Sequence, residues 1–208
     1  MTNQRSLSRK ISQELDKLQR EITIKLERYY KQKVKGKQVP VDFIRQNDKE
    51  IKGIIRDTVQ ASWLFAHGII SDVTGQRVDI TTRDIEGIEL TTNNMENYYW
   101  AVAHDQLTRE TALKVDNNNQ LVELEPFNLH ASFVGLGGWF VYLSYNESIK
   151  SKAAEVGTQL KLKFITREDC VDSKICLPLN NRIFDIGTVP FEIPLHKHCH
   201  CKLIPVLV

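Results

Sequence analysis

The cysteines of this 208-residue chain are confined to its C-terminal end, and this clustering is the strongest constraint on its fold. Cys170, Cys176, Cys199 and Cys201 fall within the last 39 positions, and histidines are interleaved with the last two. A chain of this length buries a sizeable core without crosslinks. The clustering therefore indicates a local structure that the cysteines themselves hold together.

Two ligand-bearing segments make up the cluster, Cys-x5-Cys at positions 170 and 176 and His-x2-Cys-x-Cys at positions 196, 199 and 201. A structural zinc ion takes four thiolate or imidazole ligands in a tetrahedron, and two close groups joined by a spacer supply them. We expect Cys170, Cys176 and Cys199 to bind zinc, with Cys201 or His196 as the fourth ligand.

The same pattern bears on the neighbouring histidines and on the alternatives to a metal. His198 and His200 are expected to point away from the metal, because alternate residues of an extended segment face opposite sides. Two disulfides, or free thiols that pack in a small core, are the alternatives. Disulfides belong mainly to oxidising compartments, and the first ten residues, MTNQRSLSRK, lack the apolar stretch of a secretory signal. The sequence therefore favours zinc as a structural cofactor.

Charge is polarised along the chain, although the total is only +2. Residues 1–38 hold eleven Lys or Arg against four Asp or Glu, a net of +7, so the other 170 residues carry 17 against 22, a net of −5. This segment is predicted to form one basic amphipathic helix, with an apolar stripe at Leu7, Ile11, Leu15, Leu18, Ile22 and Leu26. Its basic face either is simply solvated or contacts a phosphate backbone or an acidic partner. The candidate contacts are Arg5, Arg9, Lys10, Arg20, Lys25 and Arg28.

Residues 41–156 are predicted to form a helical body. Helical spacing of apolar residues indicates one helix that ends near Gly68 or Gly75. A threonine-rich connector that holds at most one short helix is expected over residues 79–92, followed by a further helix over residues 95–115. The helical pattern then resumes after a polar loop.

Residues 126–146 contain no charged side chain, but scattered polar residues and three glycines dilute their hydrophobicity. We expect a buried helix here that Gly157 stops, with membrane contact as the alternative. In residues 157–208, alternation from Leu160 predicts a strand, and two more are expected near Ile183 and at residues 202–208. The predicted fold class is α+β, a mainly helical N-terminal body with a small β-rich, zinc-stapled C-terminal subdomain.

Five landmarks follow one another over about the last 65 residues. Asn146 lies on a predicted helix and Phe164 near the end of a predicted strand. Residues 172–176 read Asp-x3-Cys, residues 179–181 read Leu-Asn-Asn, and residues 193–201 read Ile-Pro-Leu-His-Lys-His-Cys-His-Cys before a last apolar strand. In order and spacing these resemble the C-terminal region of the phage Mu protein F-like minor head proteins, also called the phage head morphogenesis family.

This chain departs from the family pattern at several landmarks. Phe164 replaces a Trp, and Asn181 replaces a Gly; asparagine is the next residue best able to take a left-handed turn. Lys197 stands in place of a Pro and His200 in place of an Arg. Ser173 stands where many relatives carry a Cys, for which Cys170 can substitute from three residues earlier.

The resemblance implies a minor capsid protein of a tailed virus or provirus, present in the virion head and, during assembly, in the host cytoplasm. It implies portal and capsid proteins as partners, a structural rather than an enzymatic role, and packaged DNA as a possible contact of the basic segment. A membrane is not an expected partner.

Two other functions are open from the residues alone. The basic segment and the Cys/His cluster also fit a zinc-dependent nucleic-acid-binding module. An enzyme with Cys199 or Cys201 as nucleophile beside His196 or His198 is the third reading, although a catalytic thiol also needs an oriented third group.

Overall fold

The computed structural model describes residues 4–33, 41–111, 114–115, 121–122, 129–157, 159–167, 174–189, 193, 195 and 199–207. Its α-helices are α1 (Gln4–Lys33), α2 (Val41–Asn47), α3 (Glu50–Thr74), α4 (Thr82–Thr111) and α5 (Leu129–Val156). The antiparallel pair β1 (Lys114–Val115) and β2 (Leu121–Val122) separates α4 from α5. Strands β3 (Leu160–Ile165), β4 (Ile183–Asp185) and β5 (Lys202–Leu207) follow α5. The fold class is α+β, as the sequence predicted.

Helix α1 packs its apolar stripe against α3 and α5. Five of the six predicted stripe residues are buried, and Leu18 packs half-buried against the same core. Burial of one such Leu or Ile side chain contributes about 1.5–3 kcal/mol. The prediction of the stripe is confirmed, and it places α1 in the central core.

The first long helix of the body is divided in two, which the sequence did not predict. The break falls at Asp48, whose side chain accepts a hydrogen bond from the backbone N–H of Glu50 at 2.8 Å and another from the Tyr29 hydroxyl. Helix α3 ends at one of the two predicted glycines, because Gly75 has a φ of 69° and its N–H donates to the Ser71 carbonyl at 2.8 Å.

The expectation of a connector over residues 79–92 is wrong, since α4 already begins at Thr82. The Thr81 N–H and hydroxyl donate to the Asp84 carboxylate at 2.7 and 2.8 Å, and the Asp84 N–H donates back to the Thr81 hydroxyl at 3.4 Å. This is a capping box with Asp in the position usually held by Glu or Gln. The cap overrides the low helix propensity of the threonines.

A buried ionic cluster joins α3, α4 and α5. Lys152 Nζ lies 2.5 Å from Asp84 Oδ2 and 2.7 Å from Glu155 Oε2, and His67 Nε2 lies 3.4 Å from Asp84 Oδ1. Burial alone would raise the pKa of Asp84, but hydrogen bonds from Lys152 and Thr81 outweigh it and hold that pKa below its usual value. The carboxylate and ammonium groups are therefore both charged inside the core.

Helix α5 contains the described part of the uncharged segment, residues 129–146, and lies buried among α1, α3 and α4, as predicted. Among the described residues, no helix is long and apolar enough to cross a membrane. A Cβ on Gly137 would lie 2.7 Å from Thr23 Oγ1, and one on Gly138 would lie 2.6 Å from His200 Nε2. These glycines therefore let α1 and the C-terminal segment approach α5 closely. Gly157, with a φ of 111°, follows the end of the helix.

The C-terminal sheet is antiparallel with the strand order β4-β3-β5. The predicted strand from Leu160 is confirmed, and its alternating burial places Leu160, Leu162 and Phe164 in the core. Pro205 pairs opposite Leu162 on the edge strand β5, where a missing N–H is tolerated. The sheet rests on α5 through β3 and β5.

Candidate metal centre

Three cysteine thiols converge where the loop after β3 meets the segment before β5. The Sγ atoms of Cys176, Cys199 and Cys201 all lie within 4.8 Å of one another, and those of Cys176 and Cys199 are 3.7 Å apart. Sulfurs bound at about 2.3 Å in a tetrahedron lie about 3.8 Å from one another. The three thiols are buried and free of disulfides, and they can hold a metal ion.

The surroundings of the cluster favour a thiolate at Cys199. A hydrogen bond from the Cys201 thiol, opposed by burial and supported by the backbone N–H groups of Cys201 and Leu195, lowers the pKa of Cys199 to about 5. The same interaction and burial raise the pKa of Cys201. A metal binds the thiolate form, and with this pKa Cys199 is already a thiolate at neutral pH.

Asn146 of α5 binds the backbone next to Cys199 and Cys201. Its Nδ2 donates to the Cys201 carbonyl at 3.1 Å, and its Oδ1 accepts the Leu203 N–H at 2.8 Å. The asparagine is fully buried. Helix and strand are thus joined by a two-point clamp next to the cysteines.

A tight turn brings Cys176 back to β3. Asn181 has a φ of 66°, the left-handed conformation expected at this position, and its N–H donates to the Phe164 carbonyl at 2.8 Å. The Asn180 side chain accepts the Thr166 N–H at 3.1 Å. The Leu179 N–H donates to the Cys176 carbonyl at 3.0 Å within a short 3-10 helix, Leu177–Leu179.

His200 points away from the thiols, as predicted. Its ring lies 5.1 Å from that of Tyr142, with Nε2 3.4 Å from Gln19 Nε2 and Nδ1 3.5 Å from an Arg167 nitrogen. Asp16 Oδ1 accepts hydrogen bonds from the Tyr142 hydroxyl at 2.9 Å and from Arg167 at 2.7 Å. Asp16, Gln19, Arg167 and His200 border a cavity of about 500 Å³. The sequence carried no local signal for this polar network.

Lys202, the residue after Cys201, connects the cysteine cluster to α1. Its ammonium donates to the Ser12 hydroxyl, and only 3% of the residue is exposed. Burial is the main reason that the pKa of Lys202 falls to about 8, and nearby Arg167 lowers it further while Asp16 and Cys201 oppose the shift.

The structure brings together three of the five predicted metal ligands, and Cys170 and His196 lie outside the described residues, as does His198. The six basic candidates do not share one surface. Arg5 and Arg9 line one cleft and Arg20 the cavity beside His200. Lys10 pairs with Asp72 at 2.8 Å, and Lys25 and Arg28 are exposed.

The cysteine cluster is thus a buried site built from a turn, a clamped strand and the long helix α5. Comparison of the chain with known protein families, with curated proteins and with solved structures found no match.

Proposed function

We propose that this chain is a structural minor capsid or head morphogenesis protein of a tailed virus or provirus, which docks near the portal during head assembly. Portal and capsid proteins are its partners in this proposal. Its place is the virion head and, before assembly, the host cytoplasm.

One observation carries the proposal: residues of the family resemblance contact one another. Asn146 binds the backbone on both sides of Lys202, and Phe164 pairs with Leu203 across the sheet. The turn at Asn181 binds the Phe164 carbonyl. Motif residues that are distant in sequence but pack together are expected to specify a fold rather than to match by chance. This convergence supports the resemblance to the phage Mu protein F-like family.

The proposal includes a zinc ion at the cysteine cluster. Cys176, Cys199 and Cys201 supply three sulfurs, and Cys170 or His196 completes the tetrahedron. An all-thiolate or thiolate-rich buried site is typical of structural zinc. In this proposal zinc links the loop after β3 to the segment before β5, which the three thiols already bring together.

A structural rather than a catalytic role is supported by the burial of the thiols. Cys176, Cys199 and Cys201 are 0%, 1% and 0% exposed. A nucleophilic cysteine has to reach its substrate and needs a partly exposed site. We therefore propose that the thiolate form of Cys199 serves as a metal ligand and not as a nucleophile.

Co-expression with the portal protein encoded in the same viral genome tests the assembly role. We expect the two proteins to elute together from a sizing column. Tyr98→Ala on α4 gives a surface variant for mapping the contact, because Tyr98 is exposed and its ring lies 4.7 Å from that of Trp139, tilted by 33°. Independent elution at every salt concentration would refute the role.

Elemental analysis tests the metal separately. The purified chain is expected to hold about one zinc, and Cys176→Ser is expected to lose it. His200→Ala is the matched control, because His200 lies in the same motif but points away from the thiols. Cys170→Ser and His196→Ala then identify the fourth ligand. A natively folded wild-type chain without metal would contradict this part of the proposal.

A further inference from the structure

A cleft of about 450 Å³ lies between the first turns of α1 and the C-terminal sheet, and its described lining includes no cysteine. Its polar lining consists of Gln4, Arg5, Ser8, Arg9, Lys163 and Asn181. Three of these side chains are cationic, and the described lining contains no carboxylate. The cleft therefore concentrates positive charge.

The fold, rather than the sequence order, creates this concentration. Arg5 and Arg9 are one helical turn apart and so share a face of α1. Lys163 comes from β3, more than 150 positions later, and its Nζ reaches Gln4 Oε1 at 3.4 Å. The first turns of α1 and the C-terminal sheet thus supply one site.

Two cationic side chains of the cleft lack, within the described part of the chain, the carboxylate partners that neighbouring lysines have. Lys10 pairs with Asp72 at 2.8 Å, and Lys161 pairs with Asp185 at 3.1 Å. Among the described residues, Arg9 and Lys163 form no ion pair. Their charges remain available to an external anion.

We propose that this cleft binds the phosphate backbone of a nucleic acid. Arginine, lysine, serine, asparagine and glutamine side chains are the usual donors to phosphate oxygens, and all five types line the cleft. Protein partners instead favour a central apolar or aromatic anchor, whereas Ile204 in the cleft wall is buried and Ile165 half-buried. This inference goes beyond the assembly role and depends on neither zinc nor the portal.

A titration of the full, zinc-loaded chain with a labelled duplex DNA of mixed sequence tests the inference. Each neutralised phosphate contributes about −0.9 to the slope of log affinity against log salt, so contacts by Arg9 and Lys163 together contribute about −1.8. Loss of two contacts in Arg9→Gln/Lys163→Gln is expected to reduce the slope by about 1.8 and to weaken binding about 60-fold near 0.1 M salt.

The matched control is Lys25→Gln/Arg28→Gln, which removes the same charge from exposed positions of the same helix outside the cleft. We expect less than about a 3-fold effect from it. Lys163 is half-buried, so its replacement can also disturb the fold. A second comparison therefore uses single charge reversals at two exposed arginines, Arg9→Glu in the cleft and Arg28→Glu outside it. Circular dichroism verifies that each variant is folded.

Three results would overturn the inference. One is an equal loss of affinity in the cleft and control variants, which would indicate a diffuse basic surface. Another is absence of DNA binding by the wild-type chain at low salt. The third is displacement of DNA by polyglutamate at equal charge concentration, which would assign the cleft to an acidic protein.

Discussion

Replacement of Asn146 by alanine is expected to destabilise the chain strongly and to weaken metal binding. The change leaves the Cys201 carbonyl and the Leu203 N–H without their partner inside the core. A buried polar group left unsatisfied costs about 1–3 kcal/mol. Two such groups give a loss of about 4 kcal/mol, which the better helix propensity of alanine offsets by about 0.5 kcal/mol.

Urea unfolding at saturating zinc measures this loss, and a competitive chelator measures zinc affinity. A domain of this size has a stability of about 5–15 kcal/mol, so a loss of about 3.5 kcal/mol is readily resolved. We expect zinc affinity to fall about 10- to 100-fold, because Asn146 orients the backbone of a ligand. The control is Asn94→Ala on the exposed face of α4. A loss below about 1 kcal/mol, equal to that of the control, would refute the reasoning.

Three further predictions concern the helical body. Lys152→Met removes the ammonium group that pairs with the buried Asp84 carboxylate, so we expect calorimetry to show that the free energy of unfolding falls by about 3–5 kcal/mol. A fall of less than about 1 kcal/mol would contradict this. In Gly137→Ala the added methyl group collides with Thr23, so we expect the free energy of unfolding to fall by about 1–3 kcal/mol. In Gly53→Ala the added methyl group has nothing within 4 Å, so we expect the free energy of unfolding to rise by up to about 1 kcal/mol. Denaturation midpoints that shift equally in the two variants would show that the close approach at Gly137 is unimportant. Burial lowers the pKa of His67, so as pH falls below about 6.5 the unfolded chain binds a proton before the folded chain does, and the free energy of unfolding decreases. His67→Gln should flatten this part of the plot of unfolding free energy against pH. An unchanged plot would exclude His67 as its source.

Local periodicity was sufficient to predict the α1 stripe, the buried α5 and the strands of the C-terminal sheet. It failed at the start of α4, where four threonines indicated a connector while a side-chain cap at Thr81 and packing of the following residues favour a helix. Propensity is a weak preference that one good cap and a buried face can outweigh. The break at Asp48 was missed for a similar reason, since one of its partners, Tyr29, lies on another helix.

The site was predictable only as far as its ligands. Cysteine spacing identified Cys176, Cys199 and Cys201, and alternation identified the direction of His200. The clamp at Asn146 was visible only as a residue of the family resemblance, without a physical role. Neither the polar network around His200 nor the cleft cation Lys163 has a local signature, because each depends on residues brought together by the tertiary fold.

The contact between Lys202 and Ser12 joins residues 190 positions apart, and this has a consequence for biosynthesis. A ribosome completes α1, α3 and α5 before it adds β5, so the faces that β5 covers stay open until then. A nascent chain interrupted before Cys199 lacks the backbone groups that Asn146 binds and two of the three thiols. The faces of α3 and α5 that β5 covers are therefore the last part of the core to be buried, and local opening of β5 exposes them again.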